Sequence, residues 1–193
     1  MKKRYVDLTI GIFFLALGLI STTVFYAYDQ LTSLLWFCNN TSFVLGLAFL
    51  LRSKFLITAE TVLGFVPQVI WTVDYLGNLF GVNIFNATTY MFDPSYPTML
   101  YVLSLHHLLL LPAMLYGIRS IGFHKLGWIG ALGHGALLWA VSFFLTNPEL
   151  NLNCIHQSCV SILPTTMYSF IWPLFYSVAA LLPTYLMMSK VNA

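Results

Sequence analysis

The stretch MLYVLSLHHLLLLPAMLY, residues 99–116, is apolar over a length that suits a membrane-spanning helix. It nevertheless contains two adjacent imidazoles, His106 and His107. Ionisable groups are costly in hydrocarbon, so their presence indicates a functional site. The structural alternative is that both histidines hydrogen-bond to neighbouring helices and hold the bundle together.

The composition of the whole chain agrees with a membrane location. Hydrophobic residues make up 59% of the 193 residues and charged residues only 7%, whereas a soluble domain has about 25% charged residues. We therefore predict an all-α integral membrane protein, a single domain over residues 1–193, with six spans of about 20 residues each. We place these spans near residues 8–28, 31–51, 55–74, 98–118, 126–146 and 164–188.

The eight basic residues predict the orientation of the bundle. They all fall at helix ends or in loops of one side: Lys2, Lys3, Arg4, Arg52, Lys54, Arg119, Lys125 and Lys190. The positive-inside rule makes that side cytoplasmic, with both termini inside and the long loops extracytoplasmic. We expect a multi-pass protein of a bacterial inner membrane or an equivalent membrane. The net charge of +2 reflects this orientation, so no nucleic-acid partner is expected.

Several predicted helices contribute polar side chains at a similar depth in the outer half of the membrane. Counting 1.5 Å per helical residue, Cys38, Gln68 and His107 lie about 9 to 13 Å below the outer surface. The full set is Cys38, Asn39, Asn40, Gln68, Ser104, His106, His107, Ser142 and Ser169. Unsatisfied polar groups in lipid cost several kcal/mol each, so we expect this layer to form a substrate pocket.

A thiol and an imidazole in one pocket are a candidate nucleophile and base. Cysteine needs a neighbouring base or a positive field to become a thiolate, and His107 can act as the general base. The side chains of Asn39, Asn40 or Gln68 could donate to a developing oxyanion. The structural alternative is an inert buried thiol, and only the depth match between Cys38 and His107 argues against it.

The segment His107-Leu-Leu-Leu-Leu-Pro112 resembles helix 4 of the androgen-induced-gene family of six-helix intramembrane hydrolases. In that family a histidine five residues before a proline acts with a helix-2 threonine on lipid esters. The Cys38-Asn39 start of helix 2 is also similar to the YwaF-type bacterial membrane proteins and their acyltransferase-like relatives. The hydrolases have an aspartate three residues after that threonine, whereas this chain reads CNNT at residues 38–41. The resemblance therefore implies Cys38 or Thr41 as the nucleophile.

Four functions agree with these features. The first is a lipid ester hydrolase or acyltransferase that uses Cys38 or Thr41 with His107 on a membrane lipid. The second is a small-solute binding protein or transporter, with a lipophilic small molecule as a candidate ligand. The third is a haem or metal protein that uses His106, His107 and His134, but adjacent histidines point about 100° apart on a helix, so no cofactor or metal is expected. The fourth is an accessory protein with membrane partner subunits. Separately, short segments such as Met91-Phe92-Asp93-Pro94 look like those of small bacterial membrane proteins of unassigned function.

Two further ionisable residues lie within the predicted helices. Glu60 is close to the cytoplasmic end of the third span, and we expect it to pair with Arg52 or Lys54, with a proton relay as the alternative. His134 lies among three glycines, which let helix backbones approach closely. We interpret His134 as a packing histidine at a tight helix crossing.

The two long loops on the extracytoplasmic side have distinct compositions. Residues 75–97 are rich in aromatic side chains, and we expect this long loop to cap the outer mouth of the bundle. Cys154 and Cys159 lie five residues apart in the other loop. Disulfides form and persist on the extracytoplasmic side of a membrane, so we predict a disulfide between these two cysteines. A metal site that combines them with His156 matches no strong zinc spacing.

Overall fold

The computed structural model describes residues 2–157 and 168–191, and every regular element within them is helical. The helices are α1 (Lys2–Ala27), α2 (Phe37–Leu50), α3 (Lys54–Leu79), α4 (Thr98–Ser104), α5 (His107–Ser120), α6 (Gly127–Leu145), α7 (Tyr168–Tyr176) and α8 (Leu182–Val191). Five segments of this described part are long and apolar enough to cross a membrane: α1, α3, α4 with α5, α6, and α7 with α8. The apolar helix α2 has only 14 residues. The predicted all-helical class is confirmed for the described residues, and these five segments are candidate membrane spans.

Contacts between helix ends define two ends of the bundle. At the first, which we call the basic end, Arg52 pairs with the buried Asp7 at 2.6 Å, and Ser120 donates to the same carboxylate. The Tyr185 hydroxyl donates to the Lys125 carbonyl nearby. These contacts gather the start of α1, the α2–α3 turn, the end of α5 and the approach to the end of α8. The opposite end, which we call the loop end, contains residues 80–97 and 146–157.

A single carboxylate in α3 organises the longer loop. Asp74 is fully buried, and its two oxygens accept six hydrogen bonds. The donors are the backbone amides of Ile84, Phe85, Ala87 and Thr88, the Thr88 hydroxyl and the Asn78 side chain. A buried charge without such partners is very costly, so the loop is folded around this side chain.

The predicted second span, residues 31–51, is not one continuous helix. A 3-10 turn at Leu31–Leu35 ends at Trp36, whose backbone is extended, and α2 begins at Phe37. Asn153, from the loop after α6, accepts from the Phe37 amide at 2.9 Å and donates to the Leu35 carbonyl at 2.7 Å. One side-chain amide thus satisfies both backbone groups that flank the break, a distant contact that the local sequence does not predict.

The predicted fourth span, residues 98–118, is also interrupted, between α4 and α5. The ring Nδ1 atoms of both histidines cap the end of α4: His106 donates to the Leu103 carbonyl at 2.6 Å, and His107 to the Ser104 carbonyl at 2.7 Å. A carbonyl can only accept, so both Nδ1 atoms bear a proton. Through Nδ1, both histidines therefore bond to the backbone of their own segment, and His106 also lies close to the Cys38 backbone of α2.

The proline in the middle of α3 creates a need that another helix meets. Pro67 has no amide hydrogen, so the carbonyl of Leu63, four residues earlier, loses its helical partner. The Tyr176 hydroxyl of α7 donates to this carbonyl. Since a buried acceptor without a partner costs several kcal/mol in lipid, this bond both satisfies α3 and attaches α7 to it.

A second proline repeats the arrangement in α7. Pro173 deprives the Ser169 carbonyl of its helical donor, and the indole Nε1 of Trp139 in α6 donates to that carbonyl at 3.0 Å. A π-helical segment, Ser177–Leu181, then joins α7 to α8. The predicted sixth span, residues 164–188, corresponds to this interrupted helix, although residues 164–167 lie outside the described residues.

Replacing Tyr176 with phenylalanine removes the donor to the Leu63 carbonyl, and we expect a loss of about 1–3 kcal/mol in the free energy of unfolding. In a Pro67→Ala background that carbonyl regains the amide of residue 67, so the same change should cost less. Denaturant unfolding in mild detergent gives the double-mutant cycle. Equal costs in both backgrounds would contradict this account of the tyrosine.

Candidate functional site

A cavity of about 330 Å³ lies at the loop end, and we call it the loop-end cavity. Its walls come from the end of α1, the start of α2, α3, α4, the first residue of α5 and the long loop. The lining residues are Phe25, Gln30, Ser33, Trp36, Cys38, Asn39, Trp71, Ala87, Tyr90, Tyr96, Leu103, Ser104 and His107. No charged side chain is among them, so the cavity suits an uncharged ligand with apolar and hydrogen-bonding parts.

Four of the predicted site residues meet at this cavity: Cys38, Asn39, Ser104 and His107. Two of them also serve the backbone, because Asn39 donates to the Ser33 carbonyl at 2.7 Å and the Ser104 hydroxyl donates to the Leu100 carbonyl at 2.9 Å. One of the two amide hydrogens that Asn39 was predicted to offer an oxyanion is thus already in use. The cavity wall is therefore more rigid and less rich in free donors than the sequence indicated.

His107 is held in a defined orientation. Its Nδ1 is bound to the Ser104 carbonyl, and its ring stacks on Trp71 with a centroid distance of 4.3 Å and an angle of 18°. Trp71 in turn donates from Nε1 to the Tyr90 hydroxyl at 3.3 Å. Because Nδ1 bears the proton, Nε2 of this neutral imidazole has a lone pair, and it makes no hydrogen bond within the described residues. That atom can accept a proton or a hydrogen bond from a ligand.

Cys38 is the second residue of α2, where backbone amides have no intrahelical acceptor. The amides of Cys38 and Asn39 face the Cys38 sulfur. Cys38 is a free thiol. In the described part of the chain, no hydrogen bond joins it to His107. Thiol and imidazole therefore share the loop-end cavity without a hydrogen bond between them.

Tyr90 and Tyr96 show that the long loop contributes to the cavity, as predicted for a capping loop. Burial raises the pKa of the Tyr90 hydroxyl to about 12, so it stays protonated at physiological pH. It accepts from Trp71 and also lies within hydrogen-bonding reach of the Ser104 hydroxyl. By contrast Phe80 is 84% exposed and does not cover the cavity.

Thr41, the alternative nucleophile, is not in the cavity wall. It is fully buried between α2 and α3, next to Gly64, and its hydroxyl has no hydrogen-bond partner within the described residues. A substrate in the loop-end cavity does not reach an atom enclosed in this way. Of the two predicted nucleophiles, Cys38 lines the loop-end cavity and Thr41 does not.

The other predicted polar residues do not line the cavity, so the expected single layer is split. These residues are Asn40, Gln68, His106, Ser142 and Ser169. Gln68, His106 and Ser142 are buried elsewhere, and Ser169 takes part through its carbonyl, which binds Trp139. Equal depth was predicted by counting residues, but the rotation of each helix about its axis decides which side chains face one another.

Glu60 and His134 form a contact that the sequence reading did not pair. Glu60 Oε1 lies 2.8 Å from His134 Nδ1, and His134 Nε2 lies 2.8 Å from Asn40 Oδ1. The predicted partners of Glu60 were Arg52 or Lys54, and this is wrong for Arg52 because it pairs with Asp7. The available signal was that Glu60 and His134 each lie about two turns from the basic end of their helix.

The disulfide between Cys154 and Cys159 stays a prediction, because Cys159 lies outside the described residues. Within the described part of the chain no group of three or more His, Cys, Asp or Glu side chains is arranged to hold a metal ion.

No protein-family model, curated protein or solved structure matches this chain. The resemblance to the intramembrane hydrolases and YwaF-type proteins accordingly stays a hypothesis based on residues 38–41 and 107–112. A function for the chain has to come from the geometry of the loop-end cavity.

We expect Cys38 to react with a small uncharged thiol reagent such as iodoacetamide in the folded protein, because it lines a cavity. A Ser104→Trp substitution should fill the cavity and slow the labelling strongly, while Ser104→Ala, the matched control, should leave it close to the wild-type rate. Mass spectrometry of the peptide that contains Cys38 measures the rate. Equal labelling in all three proteins would show that the cavity is not the route to the thiol.

Proposed function

We propose that the chain crosses the membrane six times, with the 3-10 turn Leu31–Leu35 and α2 together as the second span. Both termini then lie on the cytoplasmic side. In support, α1 begins and α8 ends at the basic end, close to Arg52 and Lys125. The positive-inside rule assigns that end to the cytoplasm of a bacterial inner membrane or an equivalent membrane. The loop-end cavity is then open towards the extracytoplasmic half.

Reporter fusions test this topology. Reporters at the N-terminus and at the C-terminus should both give a cytoplasmic signal, because an even number of spans returns the chain to the same side. A reporter inserted at Asn83, in the exposed part of the long loop, should give the opposite signal. Termini on different sides would exclude six spans.

We further propose that the loop-end cavity binds the acyl part of a membrane lipid or a similar neutral ester, and that Cys38 and His107 transfer or hydrolyse that acyl group. One observation supports this most: a thiol at a helix N-terminus and an imidazole with a free Nε2 line the same cavity. The walls contain two tryptophans and no charge, which suits an uncharged lipophilic substrate.

The chemistry follows from the positions of these groups. His107 Nε2 accepts the thiol proton, and the Cys38 sulfur attacks the ester carbonyl to form a tetrahedral oxyanion. The amides of Cys38 and Asn39, which face the sulfur, and the Tyr90 hydroxyl are the candidate donors to that oxyanion. The carbon–oxygen bond then breaks, and the alcohol leaves with the proton from His107. Water or a second alcohol attacks the thioester, His107 again accepts the proton, and the thiol is regenerated.

The apolar surface of the long loop supports access from the membrane. Phe80, Val82, Ile84 and Phe85 are all exposed at the loop end. Exposed apolar groups of this density are typical of a surface that contacts lipid or another apolar partner. A lipid ester could enter the cavity beside this loop without leaving the membrane interface.

A second function has an observation of its own. Cys38 and His107 are not hydrogen-bonded to each other, and Cys38 also packs against the core cluster that contains Phe14 and Leu45. A protein that only binds a neutral lipophilic molecule needs no closer contact between them. In that case His107 Nε2 and the Tyr90 hydroxyl would hold the ligand.

Turnover of a labelled lipid ester in proteoliposomes separates the two functions. For acyl transfer, Cys38→Ala should abolish turnover, and His107→Gln, which keeps a donor for the Ser104 carbonyl, should lower it by about 10²–10⁴-fold. Thr41→Val, which is nearly isosteric and outside the cavity, should have little effect.

Retained turnover in both the Cys38 and the His107 variant would end the proposal of acyl transfer. Absence of turnover in the wild type, together with thermal stabilisation by the ester in the wild type and in Cys38→Ala, would support the binding protein instead. The stabilisation should disappear in Ser104→Trp, whose side chain occupies the same space.

A further inference from the structure

A hydrogen-bonded chain of three side chains crosses the bundle away from the loop-end cavity. Glu60 of α3, His134 of α6 and Asn40 of α2 are joined by two contacts of 2.8 Å each. Glu60 is only 1% exposed, and the side chain of His134 is 14% exposed. None of the three lines the loop-end cavity, so the proposed acyl transfer does not account for them.

The donors and acceptors of Glu60, His134 and Asn40 determine how many protons these three side chains can hold. His134 Nε2 faces the Asn40 Oδ1 carbonyl oxygen and therefore donates to it. The contact between Nδ1 and Glu60 Oε1 then shares one more proton, as imidazolium with carboxylate or as imidazole with carboxylic acid. The second carboxyl oxygen, Glu60 Oε2, is buried and has no hydrogen-bond partner within the described residues. Oε2 is therefore the place where an additional proton can bind.

Other charged groups on the surrounding helices are engaged or remote. Arg52 pairs with Asp7 at the basic end, and the Lys54 side chain lies against Gly122. Neither α2 nor α6 contains a charged residue. The remaining charges of α5 and α8, Arg119 and Lys190, lie in the last turns of those helices.

The neutral titratable groups of the neighbouring helices are also accounted for. Tyr176 of α7 donates to the Leu63 carbonyl and Tyr185 of α8 to the Lys125 carbonyl. On α5, His107 faces the loop-end cavity, and Tyr116 stacks on Phe49. His134 is thus the titratable group in direct contact with Glu60 in the described part of the chain.

We propose that Glu60 and His134 form an intramembrane proton-binding site, with Asn40 fixing the imidazole. Glu60 lies six residues into α3, about 9 Å from the basic end, so the proton exchanges with that side. The site changes its net charge inside an apolar bundle when a proton binds, which is the requirement for coupling protonation to helix packing. This inference stands independently of the chemistry at Cys38.

An apolar cavity of about 470 Å³ gives the site an approach from the membrane. Leu63, Ala131, Gly135 and Tyr176 are among its lining residues. Leu63 is one turn from Glu60, and Gly135 is next to His134. A small lipophilic reagent in this cavity therefore lies beside the proton-binding pair.

Dicyclohexylcarbodiimide provides the test, because this lipophilic reagent adds only to a protonated carboxyl group and leaves a stable N-acylurea. In the purified wild-type protein in detergent, Glu60 should be labelled at mildly acidic pH, and labelling should fall as the pH rises. Asp7 and Asp74 are internal controls that should stay unlabelled, because an ion pair and six hydrogen bonds, respectively, engage their carboxylates. Peptide mass spectrometry identifies the modified residue.

The His134→Gln variant tests the role of the imidazole. This variant removes the imidazole that shares a proton with Glu60, so the dependence of labelling on pH should differ clearly from that of the wild type. The proposal is overturned if Glu60 stays unlabelled at every pH, or if both proteins have the same profile.

A second measurement covers the case in which His134→Gln does not fold. The difference in melting temperature between the wild type and Glu60→Gln should change with pH, because only the wild type gains or loses a proton at this position. A difference that is constant with pH would overturn the proposal as well. Lipid ester turnover is read separately, so a failure of this site and a failure of acyl transfer are distinguishable.

Discussion

A backbone amide or carbonyl that loses its helical partner inside a membrane has no water to replace it. The helices of this bundle are broken towards the loop end, and side chains supply the missing partners. Asn153 bridges the break before α2, two imidazoles cap α4, and Tyr176 and Trp139 donate to carbonyls that prolines have freed. Several of these bonds also join different helices, so satisfying the backbone and packing the bundle are achieved by the same contacts.

The same requirement shapes the loop-end cavity. The break before α2 makes that helix begin at Phe37, which places Cys38 in its first turn with backbone amides facing the sulfur. The break after α4 occupies Nδ1 of His107 and leaves Nε2 without a partner in the described structure. The thiol of Cys38 and the imidazole of His107 line one cavity because two helices are interrupted beside it. The polar atoms available to a ligand there are those that do not bond to the backbone, such as His107 Nε2.

Much of the architecture could be predicted from the chain alone. The bounds of α6, Gly127–Leu145, lie within a residue of the predicted span, and α3 extends five residues beyond its predicted end because Asp74 and the following loop continue the packing. Cys38 and His107, which were predicted to lie at a similar depth, do line the same cavity. Gln68, Ser142 and Asn40 were predicted for the same layer but do not line that cavity, because the rotation of each helix about its axis is not predictable from residue counting.

Hydropathy and charge act residue by residue, so the sequence by itself determined a helical membrane bundle, the gathering of basic residues at one end and the approximate depth of each polar group. Which atom satisfies which depends on partners far apart in the chain: Phe37 and Asn153 are 116 residues apart, and Glu60 and His134 are 74 apart. Such pairs form only when helices are packed at particular rotations. The tertiary structure alone therefore decided that Thr41 is enclosed and that Cys38 and His107 share a cavity. It also decided that the partner of Glu60 is the imidazole of His134 rather than the guanidinium of Arg52.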